Sequence, residues 1–74
     1  MWNTIAKYDV ISVWYALGFE DDYDEIKVIG EVTNLTNDKM VVRDENGAYH
    51  VIERNDLIDL DHINYADRNE VYRH

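Results

Sequence analysis

Residues 26–60, IKVIGEVTNLTNDKMVVRDENGAYHVIERNDLIDL, decide the fold of this chain. Four short apolar runs alternate with turn chemistry, the pattern of antiparallel strands. The first run, residues 26–35, holds Gly30 at its middle, where a glycine weakens a strand unless the chain bends, bulges or approaches another backbone closely. Thr36-Asn37-Asp38 is a turn by composition, and KMVVR, residues 39–43, is the next strand. Asp44-Glu45-Asn46-Gly47 is the strongest local signal, because Asn-Gly between two apolar runs specifies a tight hairpin with positive φ at its centre. AYHVIE, residues 48–53, returns as a strand; Arg54-Asn55-Asp56 breaks it with a helical turn, and residues 57–60 close as a short last strand.

Upstream lies VISVWYALGF, residues 10–19, rich in β-branched and aromatic side chains. Ile11, Val13, Tyr15, Leu17 and Phe19 make an unbroken apolar face at period two, and Val10, Ser12, Trp14 and Ala16 make the other. A strand apolar on both sides is central or covered. Residues 1–9 fit a helical turn or an extended lead-in. Residues 62–74 lack a clear turn residue and fit a short helix or tail, with Ile63, Tyr65 or Ala66, and Tyr72 spaced to touch the body. The expectation is one mainly β domain over residues 1–74. Its β core, residues 10–61, would be a small five-stranded antiparallel SH3-like barrel or curled sheet, followed by a C-terminal helix or tail.

Seventy-four residues lie near the lower limit for a self-supporting core, and no cysteine is present to supply a disulfide or a thiolate zinc site. Sixteen acids against seven bases give a net charge of −9 and a pI near 4.4. Direct binding to nucleic acid is disfavoured, because it depends on Lys and Arg displacing counterions from phosphates. A basic protein surface is the natural partner. Residues 1–7 carry no basic, then apolar, then small-residue leader, and no run of 18 apolar residues occurs, so the expectation is a cytoplasmic protein without a membrane span. Asn34-Leu35-Thr36 matches a glycosylation sequon but reads as turn chemistry in that setting.

Glu20-Asp21-Asp22-Tyr23-Asp24-Glu25 places five carboxylates in six positions. The run reads as a solvated connecting loop or the frayed ends of two strands, since crowding such charge into a core is prohibitive. As a calcium loop it fails: Asp22 and Asp24 have the offset of two ligands, but the glycine at position six and the glutamate at twelve are missing. As a phosphate mimic it would line negative charge along a surface, with Tyr23 as an aromatic anchor. Residues 20–25 sum to −5 and residues 26–61 to −4, so the excess sits in the sheet region and its loops. Asp56, Asp59 and Asp61 form a second acidic group, and Asp44 with Glu45 a third at the hairpin tip.

Catalytic chemistry is poorly supplied. There is no cysteine nucleophile, the one serine, Ser12, lies inside an apolar strand, and neither a glycine-rich phosphate loop nor an HExxH helix occurs. His50 reads as a partly exposed strand residue. Asp59, Asp61 and His62 are close enough in sequence for a weak divalent site, which nothing requires, and no cofactor is expected. Two Trp, six Tyr and one Phe exceed what so small a core can hold. Trp14 either packs beneath a terminal helix or supplies an interface hot spot, at a partner or in a homo-oligomer.

Residues 28–60 carry a resemblance. Val28-Ile29-Gly30-Glu31-Val32, a turn, Met40-Val41-Val42, the turn at 44–47, Tyr49-His50-Val51-Ile52 and Leu57-Ile58-Asp59-Leu60 resemble the repeated pattern of SH3-like barrels, shared by YolD-like bacterial proteins and the C-terminal domain of biotin-protein ligases. The resemblance is architectural and implies a binding module. In general character, small, acidic and free of cysteine, the chain resembles the inhibitors that phages and mobile elements direct against host defence nucleases, anti-CRISPR proteins among them. The expected function is a non-enzymatic nucleic-acid mimic that inhibits a nucleic-acid-binding protein or nuclease. Glu20, Asp21, Asp22, Asp24, Glu25, Asp56, Asp59 and Asp61 would meet Lys and Arg, with Tyr23 and Trp14 adding desolvated area. The alternative is an SH3-like adaptor or oligomerisation module docking a peptide through exposed aromatics.

Overall fold

The computed structural model describes residues 2–19 and 21–65. Five antiparallel strands, β1 (Val10–Phe19), β2 (Asp22–Leu35), β3 (Lys39–Asp44), β4 (Tyr49–Glu53) and β5 (Leu57–Asn64), form one sheet in the order β4-β3-β2-β1-β5. The meander from β1 to β4 follows the turn chemistry. The chain then crosses through a 3-10 turn, Arg54–Asp56, and β5 pairs with the free side of β1. β4 and β5 remain edges, so of the expected barrel or curled sheet the structure is the curled sheet.

Alternation sets the faces. Ile11, Val13 and Tyr15 of β1 point inward with Val28 and Val32 of β2, Met40 and Val42 of β3, Ile52 of β4 and Leu60 of β5. Trp2 and Ile5, from a 3-10 turn (Trp2–Thr4) and the segment after it, complete this core, and the Trp2 indole N–H donates to the Thr36 carbonyl at 3.1 Å. Gly30 sits where β2 passes β3: a methyl there would overlap the Arg43 carbonyl oxygen and lie 2.8 Å from the carbonyl carbon. That close approach explains a glycine inside a paired strand. Register shifts between Val32 and Asn34, and at two places along the β1–β5 ladder, add the bulges by which a small sheet curls.

Asp9 is fully buried at the sheet end. Its Oδ2 accepts the Ala6 N–H at 2.8 Å and lies 3.3 Å from His62 Nε2, while its carbonyl accepts the Val32 N–H at 2.9 Å. One carboxylate thus ties the N-terminal segment to β5, and the His62 ring stacks on Tyr65 at 4.3 Å.

Three local expectations change. The hairpin at 44–47 has positive φ at Gly47 but not at Asn46; the Gly47 N–H returns to the Asp44 carbonyl at 3.0 Å and the ladder resumes with Asp44 N–H to Ala48 at 2.9 Å, a turn followed by a bulge. β5 runs on to Asn64, so residues 62–64 are strand rather than helix, because His62 faces Ile11 in register and reaches Asp9. Ile63 is exposed, Tyr65 is largely exposed but stacks on His62 of β5, and the expectations for Ala66, Tyr72 and the rest of 66–74 lie outside the described residues. No helix among the described residues is long and apolar enough to cross a membrane.

Candidate partner-binding surface

The acidic run is mostly strand. β5 pairs with β1 only as far as Tyr15↔Leu57, and β3 pairs with β2 only as far as Gly30↔Asp44. Beyond those points β1 and β2 continue alone, with Ala16↔Glu25, Leu17↔Asp24, Gly18↔Tyr23 and Phe19↔Asp22 as pairs. They form a two-stranded arm beyond the five-stranded part of the sheet. Asp22, Tyr23, Asp24 and Glu25 therefore belong to β2, Asp21 lies in the turn, and Glu20 falls outside the described residues. The run was expected as a connecting loop or as the frayed ends of two strands, because five acids resist burial; the second is nearer the structure, which leaves the core while keeping its ladder.

The apolar face of β1 leaves the core with it. Leu17 is 59% exposed, Phe19 86% and Tyr23 50%. Leu17 shares the inward parity of Tyr15, so its partner Asp24 lies on the face that Val28 and Ile26 continue toward the core. Gly18 makes this ribbon possible: its φ is +133°, and a Cβ there would stand 2.7 Å from the Asp22 carbonyl oxygen. Among the described residues of the arm there is no Lys, Arg or His, and Asp21, Asp22, Asp24 and Glu25 take part in no ion pair.

A second surface lies on the outer face of β2, β1 and β5. Trp14 is 38% exposed and packs beneath no helix among the described residues; Lys27 Nζ stands 5.4 Å from its ring centroid, and Asp59 faces it on β5. Asp61 faces Ser12 and Glu25 faces Ala16, so Glu25, Asp59 and Asp61 share this face around Trp14. The acidic groups converge only in part. Asp22 and Asp24 have the opposite parity from Glu25, and Asp56 is half-buried in the 3-10 turn, off the strand face.

Asp44 has other duties. Its Oδ1 accepts the Asn46 and Ala48 N–H groups at 2.9 and 3.0 Å, and its Oδ2 lies 2.7 Å from His50 Nε2. The His50 hydrogen bond, then the Ala48 N–H, hold its carboxyl below the usual aspartate range. Asp59 and Asp61 point away from His62, which turns inward to Asp9, so strand alternation separates the three residues considered for a divalent ion. Among the described residues no three His, Cys, Asp or Glu side chains gather as a metal site.

The arm escaped sequence reasoning, although one signal was present. Asp22 and Asp24 are in phase with Ile26 and Val28, and carboxylates in phase with core residues mean that the strand has left the core. Compared with protein-family models, with curated proteins and with solved structures, the chain matches none.

Proposed function

We propose that this chain is a binding protein, not an enzyme, and that its arm occupies a basic surface on a larger protein, of the kind that otherwise holds nucleic acid, and so inhibits it. The observation that carries this reading is the arm itself: exposed Leu17, Phe19 and Tyr23 interleaved with Asp21, Asp22, Asp24 and Glu25, with no compensating cation among its described residues. Exposed large apolar side chains supply desolvated area, and unpaired carboxylates supply steering and register. Each element alone has a bland explanation, in solubility or in chance exposure. Their alternation on one projecting ribbon suits a contact in which apolar anchors sit within a ring of Lys and Arg.

The test is capture from a nuclease-treated cell lysate on the immobilised chain. Retained proteins should be nucleic-acid binders, released by added duplex DNA and by raising salt, and absent when Asp21, Asp22 and Asp24 are all replaced by Asn. Retention that survives both DNA and the triple variant defeats the reading. A second reading, an adaptor docking a peptide through aromatics, draws on the exposure of Trp14. It requires salt-insensitive binding that is lost in Trp14→Ala.

A further inference from the structure

The β3 side of β2 offers a more specific surface. β2 spans Asp22–Leu35, yet its ladder with β3 ends at Gly30↔Asp44, and no other described strand pairs with residues 22–29 on that side. Alternate residues of an antiparallel strand turn their N–H and C=O groups away from their partner, so about four residues here present unpaired main-chain groups. The stretch is about 26 Å long at the rise of a β-strand. Where β3 stops, the 44–48 turn walls one end, leaving a groove of about 310 Å³ lined by Ile26, Lys27, Val28, Ile29, Asp44 and Glu45, among others.

The other edges of the sheet are less suited. β4 has only five residues, and β5 is irregular, with two register shifts against β1, the kind of distortion that blunts an edge. The β1 ladder along residues 22–29 is in unbroken register.

From this geometry, and resting on the proposed engagement of a basic surface, we infer that the free edge of β2 takes up an extended segment of the partner as an added antiparallel strand, in line with β3. The segment alternates Lys or Arg with apolar residues. Asp22, Asp24, Glu25 and Glu45 border the edge, and Asp22 and Asp24 share one face of β2, so basic side chains on that face of the added strand find carboxylates opposite them. With the basic side chains on the face of Asp22 and Asp24, strict alternation puts its apolar side chains on the opposite face, beside Tyr23 and Ile29, both half exposed. Main-chain hydrogen bonds supply affinity, and alternate side chains supply selectivity.

A second copy of the chain fits poorly. Antiparallel pairing of residues 22–29 with themselves brings Asp21 of each arm beside Gly30 of the other, where Asp44 already holds the edge. That contact is a steric conflict and sets carboxylates against carboxylates.

The probe is a synthetic hexapeptide of alternating Lys and Val, added to the ¹⁵N-labelled full chain. It should shift the amides of residues 22–29 and slow their hydrogen exchange. The same peptide N-methylated at every residue keeps charge and bulk but cannot donate to β2, and should bind at least ten-fold more weakly. Equal binding of the two peptides overturns strand addition while leaving the acidic-surface reading intact. So do shifts confined to β4 or β5, or a dimer in sedimentation without peptide. Binding of neither peptide overturns the inference, and lysate capture by the same preparation then decides separately whether the broader reading stands.

Discussion

Replacing Gly18 by alanine is expected to open the arm while leaving the core folded. At φ +133° the new methyl would lie 2.7 Å from the Asp22 carbonyl oxygen and 3.0 Å from Tyr23 Cα, both backbone atoms on the opposite strand. Holding an L-residue in this region costs about 1–3 kcal/mol, before the two strands are pushed apart. Against this stand four cross-strand pairs, Ala16↔Glu25 to Phe19↔Asp22, in three of which an apolar side chain faces a carboxylate. Pairs of that quality lie at the low end of the range, about 0.2 kcal/mol each, and an isolated two-stranded ribbon is marginal. The strain therefore exceeds what the arm can return. None of the described residues of the arm is buried, the last core residue of β1 being Tyr15, so global stability should fall by less than about 1 kcal/mol and Tm by less than about 8 °C. Two-dimensional NMR and thermal circular dichroism read both quantities. Cross-strand contacts between Leu17 and Asp24 should vanish while the amides of β3 and β4 keep their positions. If those contacts persist with an unchanged melt, or if the whole domain unfolds, the arm is not the separable ribbon described.

Gly30→Ala should act oppositely, because the overlap with the Arg43 carbonyl lies inside the β2–β3 ladder; a loss of about 1–3 kcal/mol in urea denaturation is expected, and an unchanged midpoint would contradict the close approach. Asp9→Ala removes the acceptor of the Ala6 N–H and the neighbour of His62 Nε2, and leaving such buried groups unpaired costs about 1–3 kcal/mol each. Against a total of about 4–11 kcal/mol for a chain of this size, that variant should be partly unfolded at 37 °C by circular dichroism, and a melt equal to wild type argues against the clamp. Asp44 has a native pKa held below its ordinary value of 3.8, so its contribution to the 44–48 turn is fully present above that value and is lost as pH falls through the native pKa. Hydrogen exchange at the Asn46 and Ala48 amides should accelerate relative to the core on acidification below about pH 4, and Asp44→Ala should show the loosened turn already at neutral pH.

How far the sequence could be read depended on whether local chemistry was enough. The span of β1 was legible from its β-branched and aromatic run, and the 3-10 turn before β5 from Arg54-Asn55-Asp56, because each is a short-range preference. Gly30 was recognisable as an anomaly, but only the passing β3 backbone says which of bend, bulge or close approach it serves. The length of β5 was not legible, since Asp61, His62 and Asn64 carry no strand preference; pairing with Ile11 and contact with Asp9, 53 positions away, extend it. Of the candidate site, residue types and total charge were legible and placement was not. Glu25, Asp59 and Asp61 meet around Trp14 through two different strand pairings, and Asp44 is withdrawn into its own turn by a histidine six residues on.

The uncompensated charge of the arm bears on how a ribbon outside the core avoids pairing with copies of itself. A ribbon with two free edges and exposed Leu17, Phe19 and Tyr23 is a template for aggregation unless something bars it from pairing with copies of itself. Asp22 and Asp24 alternate with those side chains across the strands, so an approaching second arm brings carboxylates into the same shell of water as its apolar groups. This guard is selective: it opposes acidic and neutral partners alike, the first by repulsion and the second by stranding unpaired carboxylates at a drying surface. A surface bearing Lys and Arg is different, because contact then neutralises the charge that forbids every other association. On a chain with a core this small, self-repulsion is a standing cost, and placing it on a ribbon outside the core keeps that cost away from the packing on which the fold depends.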